Sequence, residues 1–330
     1  MHDESNETFA ECFTLAHLME AARICAKGTR WKRQVQAFMA DRLVNCAKLR
    51  RELHDGTYEP TPVIRFRIVE RGKPRDIRPV NFRDRVVQRC LCDYVLVPAV
   101  LRAMSPDSSA CIEGKGLSYA FDNVRRILAS APWDGWAVQY DFKGYFASIP
   151  QDRLMATVDA LVPDRRIRGI VRRIIGEGDG LELGSHVSQL LATYYPDPMD
   201  RAVSALPGCV GMHRYMDDGL AVFDTKAHAK AAKLEIARLA EEMGLTVHPD
   251  KTKLVPVRRP IVFCKTRFRK RDGGVTANVR KPQTRRSIRH LRAALRLGVD
   301  NQEGVIASVL GYVNHGDADL TRLIEGCEIR

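Results

Sequence analysis

A chain of 330 residues, 45% hydrophobic and 28% charged, can bury a sizeable core in one large domain or two to three modules. Its 53 Lys and Arg against 40 Asp and Glu leave a formal charge of +13, which favours a polyanionic partner, most often nucleic acid, over a merely solvated basic surface. Nine cysteines without a CxxC pair, and with Cys90-Leu-Cys92 lacking metal-site spacing, exclude a disulfide scaffold and a zinc module. The polar, acidic opening "MHDESNETFAECF" is no signal peptide and nothing approaches a membrane span, so a cytoplasmic location is expected.

In "RQVQAFMADRLVNCAKLRRELHDG" (33–56), Val35, Phe38, Met39, Leu43, Cys46, Leu49 and Leu53 recur at helical spacing, with Gly56 as a stop. Core packing explains that stripe. "PVIRFRIVERGKPRDIRPVNF" (62–82) alternates Val63, Arg65, Arg67 and Val69 before a turn at Arg71-Gly72-Lys73-Pro74, which reads as a hairpin with an arginine-rich outward face. "RVVQRCLCDYVLVPAV" (85–100) reads as an apolar helix. "WAVQYDFKGYFASIP" (136–150) reads as a strand, with Trp136, Val138, Tyr140 and Phe142 on one face and Ala137, Gln139 and Asp141 on the other. "GSHVSQLLATYY" (184–195) is expected as a helix ended by Pro196 and Pro198. "HRYMDDGLAVF" (213–223) reads as strand, turn, strand, and "KAHAKAAKLEIARLAEEMG" (226–244) as a long helix closed by Gly244. A short basic strand, "IVFCKTRFRK" (261–270), and a last helix, "QTRRSIRHLRAALRLG" (283–298), follow.

Asp217 and Asp218 stand side by side in an otherwise greasy stretch, where they repel each other and burial would worsen both. They mark either an exposed turn or a cation site. Asp141, at the end of an earlier strand, supplies the further carboxylate that a hard divalent ion needs among its oxygen ligands. Two such ions clamp the attacking and leaving oxygens of an in-line phosphoryl transfer and neutralise the repulsion. A Tyr-x-Asp-Asp tetrapeptide alone is weak evidence, since turns favour Asp for local reasons.

Order and context are more specific, and here the chain resembles the reverse transcriptases over nearly its whole length. "RGKPRDIRPVNFRDRVVQ" resembles their fingers segment, ending in a DRxxQ element. "YDFKGYF" resembles the first palm motif, "LGSHVSQ" the second, "YMDD" the third and "GLTVHPDKTK" the fourth, and "VFCKTRF" stands in the place of the primer-grip hairpin. The resemblance implies an α+β right-hand polymerase with fingers, a ferredoxin-like palm and a helical thumb. The expected division is a helical N-terminal extension at 1–58, fingers and the start of the palm at 59–135, palm at 136–280 with 151–183 partly fingers, and thumb at 281–330.

It also implies roles. Asp141, Asp217 and Asp218 would be catalytic, holding two Mg²⁺ ions (Mn²⁺ as substitute) together with Phe142. Phe146 would stack under the incoming sugar and exclude a 2′-hydroxyl. Lys73, Arg75, Arg78 and Gln189 would contact the nucleotide, with Lys251 as the acid for pyrophosphate. Arg285, Arg289, Arg292 and Arg296 form a stripe at helical spacing, beside Ile288, Leu291 and Leu295, that would track the primer–template duplex. RNA template, deoxynucleotides and a structured RNA or accessory protein are the implied partners, with no membrane.

The second motif departs from the retroviral pattern: Leu183 precedes Gly184 where a glutamine is usual, and Gln189 follows Ser188. This GxxxSQ form resembles bacterial enzymes: those of diversity-generating retroelements, and related group II intron-like and defence-associated groups; "SVLGYVNHGDADL" (308–320) resembles theirs too. Retrons fit less well. Lost hydrogen bonds at Leu183 imply looser nucleotide positioning and low fidelity. With about 50 residues after the palm, a thumb is expected and an RNase H, maturase or endonuclease domain is not. The competing readings are a non-catalytic RNA-binding protein of polymerase fold and an RNA-dependent RNA polymerase, which Phe146 disfavours.

Overall fold

The computed structural model describes residues 4–62, 66–70, 73–77, 79–176, 178, 180–279, 289, 292, 293 and 296, as backbone only at 4–7, 68–70, 73–77 and 279. The expectations at Val63, Arg65, the Arg71-Gly72 turn, Arg78, Arg285, Ile288, Leu291, Leu295 and 308–320 lie outside the described residues. The chain gathers into two compact units.

The first unit comprises Met1–Ser105, Lys143–Asp197 and Ala240–Thr246. It is helical around a core that includes Phe9, Phe13, Leu18, Leu53, Leu91 and Leu96, all fully buried. Helix Leu15–Ala26 packs against helix Phe82–Leu91. The stripe over 33–56 forms two helices, Arg33–Ala40 and Arg42–His54, because Asp41 (φ −114, ψ 44) leaves the helical region. The break turns Leu43 out to 56% exposure, against the single core stripe expected, while Val35, Cys46, Leu49 and Leu53 stay buried. Strands β1 (Phe66–Glu70) and β2 (Lys73–Ile77) pair antiparallel as the expected hairpin, but Lys73 and Pro74, expected in the turn, are the first strand residues of β2, opposite Glu70 and Val69. The apolar helix at 85–100 is interrupted at Cys92–Leu96 by a π-helical turn, closed by Val97 N–H on the Cys92 carbonyl. Val97 alone separates that turn from Pro98, which has no N–H to give to an α-helical ladder.

The second unit comprises Pro106–Phe142, Pro198–Leu239 and Val247–Arg330. Its centre is a five-stranded sheet of β3 (Ser108–Ser109), β4 (Trp136–Asp141), β5 (Cys209–Tyr215), β6 (Asp218–Phe223) and β7 (Lys253–Pro256). The order is β3-β5-β6-β4-β7, antiparallel except for the β3–β5 pair. The strand expected over 136–150 stops at Asp141. After Phe142 the chain bends through Gly144 (φ +60), a conformation glycine enters freely, into a helical turn at Tyr145–Ser148. Strands β8 (Ile261–Phe263), β9 (Thr266–Arg271) and β10 (Gly274–Val279) form a second sheet where one basic strand was expected. Helix Leu117–Ser130 packs on β5 and β10, with Phe121 edge-on to Phe268 at 5.4 Å. β6 is central in its sheet, and Leu220 to Phe223 are all fully buried, which accounts for the greasy half of the motif.

Candidate active site

Register places the acids. β4 ends on Asp141, β6 begins on Asp218, and the two face each other directly across the antiparallel pair. Tyr215 pairs with Asp218 across β5–β6, so Met216 and Asp217 form a two-residue loop. One position further in, Tyr140 faces Gly219, whose absent side chain leaves room for the tyrosine ring; a Cβ there would overlap it. Backbone bonds tie the neighbourhood together. The Phe142 N–H donates to the Asp217 carbonyl (3.3 Å) and the His248 N–H to the Asp141 carbonyl (2.7 Å). Phe142 also bridges to Val247, which brings the fourth motif alongside.

The electrostatics are those of crowded anions. Like charges directly opposite each other destabilise a strand pair. Burial first, then the negative charges of Asp217 and Asp141, push the Asp218 carboxyl up to about 6. Two groups oppose this shift: Lys251, and the Cys264 thiol, which donates a hydrogen bond to Asp218. Burial, then Asp218 and Asp217, push that thiol upward in turn. Lys251 Nζ lies 2.5 Å from Asp141 Oδ1, with its side chain about half exposed. Cys264 and Lys265 both have positive φ (44 and 66), as a two-residue hairpin turn of the β8–β9 type requires at both central positions.

Hard oxygen donors converging from two adjacent strand ends, with one acid raised by its neighbours, fit a divalent cation chemically. Among the described residues no three His, Cys, Asp or Glu side chains are gathered closely enough to hold an ion by themselves. Phe142 is buried and can offer only its backbone carbonyl.

The structure brings Asp141, Asp217, Asp218 and Lys251 together in the second unit. Phe146 and Gln189 belong to the first unit, both half-buried. Phe146 is on the turn Tyr145–Ser148, its carbonyl accepting from the Leu181 N–H at 2.6 Å. Gln189 is on helix His186–Tyr194, which Ser185 caps by accepting from the Ser188 N–H. Gln88 completes that cap: its Oε1 accepts from Ser185 Oγ (3.2 Å) and the His186 N–H (2.9 Å), so the DRxxQ element positions the second motif. Gly184, just before the cap, has φ +109, which suits glycine and few other residues. Lys73 and Arg75 lie on β2, in register with Glu70 and Ile68. Arg289, Arg292 and Arg296 are helical and exposed.

Sequence reasoning missed Cys264, whose long-range contact leaves no local signal. It also missed Arg214 and Asp200, although an arginine inside a greasy strand was a visible one.

A Tyr-x-Asp-Asp hairpin facing a strand that ends in aspartate is the arrangement of a polymerase palm. The model of the reverse transcriptase (RNA-dependent DNA polymerase) family matches residues 69–283, more than half of the chain. The chain belongs to that family, and membership implies a polymerase fold with fingers and palm. It is also similar to the group II intron-encoded protein LtrA of Lactococcus lactis subsp. cremoris and to its counterpart in strain MG1363. Each is 25% identical over 174 residues, covering 48% of this chain and 28% of the relative. The chain thus spans little more than a quarter of the length of those curated relatives.

Proposed function

We propose that the chain is an RNA-directed DNA polymerase that copies an RNA template from a primer by transfer of deoxynucleotides. The observation that carries this reading is the direct opposition of Asp141 and Asp218, with Asp217 in the adjoining loop. Asp141, Asp217, Asp218 and the Phe142 carbonyl would hold divalent ions, Mg²⁺ in the first place. Bound there, the ions supply Lewis acidity at the α-phosphate and a lowered pKa for the primer 3′-hydroxyl. One or two carboxylates per ion, with substrate phosphates and water, is the usual mode for Mg²⁺. The primer oxygen displaces pyrophosphate from the α-phosphorus. Lys251, already beside Asp141, is placed to give a proton to the departing pyrophosphate.

Phe146 excludes a 2′-hydroxyl, while Lys73, Arg75, Arg78 and Gln189 contact the nucleotide. The stripe Arg285, Arg289, Arg292 and Arg296 follows the duplex backbone. In this reading 1–58 is a helical N-terminal extension, 59–135 the fingers and start of the palm, 136–280 a ferredoxin-like palm with 151–183 partly fingers, and 281–330, nearly all outside the described residues, a thumb. The formal charge of +13 suits a structured RNA as a further partner. No helix among the described residues is long and apolar enough to cross a membrane. The GxxxSQ form supports a role in a diversity-generating retroelement, with a defence-associated enzyme as the alternative, and Leu183 supports error-prone synthesis.

Primer extension on an RNA template with Mg²⁺ and deoxynucleotides tests the proposal, with Asp217→Asn as control. DNA from wild type alone supports it. Tight RNA binding without synthesis, even with partner RNA added, would favour the binding-protein reading. Restoring glutamine at Leu183 should lower misincorporation; an unchanged error rate removes the low-fidelity claim.

A further inference from the structure

The loop that carries Asp217 holds strain. Met216 has φ +56, in the left-handed region that non-glycine residues rarely enter, and it is the first residue of a two-residue hairpin loop. Its support comes from the residue before the motif. Arg214, on β5, is fully buried, and so is Asp200 on helix Asp197–Ser204. The guanidinium is gripped from one side. Nε donates to Asp200 Oδ1 (3.0 Å) and Oδ2 (2.9 Å), and Nη2 donates to Asp200 Oδ2 (2.7 Å) and to Ser108 Oγ on β3 (2.7 Å). On the other side Nη1 donates to the Met216 carbonyl at 2.9 Å. The Arg214 N–H is fixed too, on the Asp107 carbonyl at 2.8 Å.

A buried ion pair is by itself a weak stabiliser, because desolvation consumes most of the attraction and a well-packed apolar pair does about as well. An apolar pair could not donate to the Met216 carbonyl. Asp217 is bounded by two held peptides: Arg214 holds the carbonyl before it, and the Phe142 N–H holds its own. The rigid, forked guanidinium suits this task, since one head group serves three acceptors in fixed directions.

We propose that Arg214, braced by Asp200 and Ser108, is a positioning residue that fixes the Met216–Asp217 peptide and thereby aims the Asp217 carboxylate. The proposal rests on the polymerase reading. Its effect falls on the chemical step and on cation binding, and much less on nucleotide affinity.

The test compares wild type with Arg214→Lys and with the double variant Arg214→Met/Asp200→Leu. Three quantities are read: melting temperature in chelator, Mn²⁺ affinity by electron paramagnetic resonance, and kcat and KM for deoxynucleotide in primer extension. The lysine keeps a charge for Asp200 but cannot reach the Met216 carbonyl at the same time. The double variant removes both charges, so no unpaired one stays buried, and it should melt within a few degrees of wild type. In both, kcat should fall about a hundredfold, as for roughly 1 Å of misplacement, with Mn²⁺ affinity weakened about tenfold and KM within about threefold. Wild-type kcat and Mn²⁺ affinity in either folded variant overturns the proposal. So does a lower melting temperature with unchanged Mn²⁺ affinity, which makes the pair scaffold only. If the double variant does not fold, Arg214→Lys decides alone. A wild type that binds Mn²⁺ but extends no primer overturns the polymerase reading instead, and the Mn²⁺ comparison still tests Arg214.

Discussion

Asp84, in the first unit, is 3% exposed, and donors meet both of its oxygens: the Tyr58 hydroxyl at 3.0 Å and the Thr61 N–H at 2.9 Å. Asp218, in the second unit, is half-buried among two further carboxylates, and the nearby ammonium of Lys251 sits on Asp141 instead. The first arrangement is closed, since an acid that completes a scaffold brings its donors with it. The second is open, because charges of one sign gather only where something from outside relieves them. A buried acid is therefore informative about function through its neighbours more than through its burial.

The contrast can be broken at either end. Asp217→Asn should abolish primer extension by about a thousandfold or more, the several kcal/mol that bound ions contribute to such a step, while leaving the fold intact. Asp84→Ala should do the reverse. It strands two donors at ~1–3 kcal/mol each, so urea denaturation should show about 2–6 kcal/mol of lost stability with metal dependence unchanged.

A third case sharpens the comparison through pH. Burial, then the positive charges of Arg214, Lys115 and Arg126, hold His213 down at about 3, with Nε2 bonded to Ser109 Oγ at 2.8 Å. The unfolded chain takes up a proton near the ordinary histidine value, about 6.5, and the folded one does not. Stability should therefore fall as pH drops from about 6.5 towards 3, and His213→Phe should flatten that slope in a pH series of melts. For Asp218 the sign is opposite, because its folded value lies above the ordinary one. Metal-free protein should lose stability as pH rises from about 4 to 6, and Asp218→Asn should raise its melting temperature at pH 7 by a few degrees while weakening activity. The smallest effect belongs to the surface. Leu43→Ser should cost under about 0.5 kcal/mol, whereas the buried Leu49→Ala should cost about 2–5 kcal/mol.

Much of the second unit was legible because its signals are local. Alternation marked β4 and the Tyr-x-Asp-Asp turn marked the β5–β6 hairpin, each signal lying within a few residues of the element it announced. What escaped was set by distant partners. β7 is short, four residues, and is held by pairing to β4 more than 100 residues away. The thiol of Cys264 reaches Asp218 through a hairpin whose left-handed turn is Cys-Lys, without the Asn-Gly that would announce it. The Asp41 break and the π-helical turn before Pro98 hid inside apolar spacing that reads as continuous helix. The DRxxQ element was visible as a pattern, but its work, capping a helix nearly 100 residues later, appears only in three dimensions.

The Tyr140–Gly219 pair makes the β4–β6 joint keyed. Sliding either strand by one residue would press a side chain, Asp218 or Leu220, into a space cut for bare backbone under an aromatic ring. Volume-conserving exchanges of hydrophobes along these strands would still return Asp141 opposite Asp218. The alignment of the acids is thus protected one step back from the chemistry, by shape alone, so errors of assembly are rejected before any ion or nucleotide arrives.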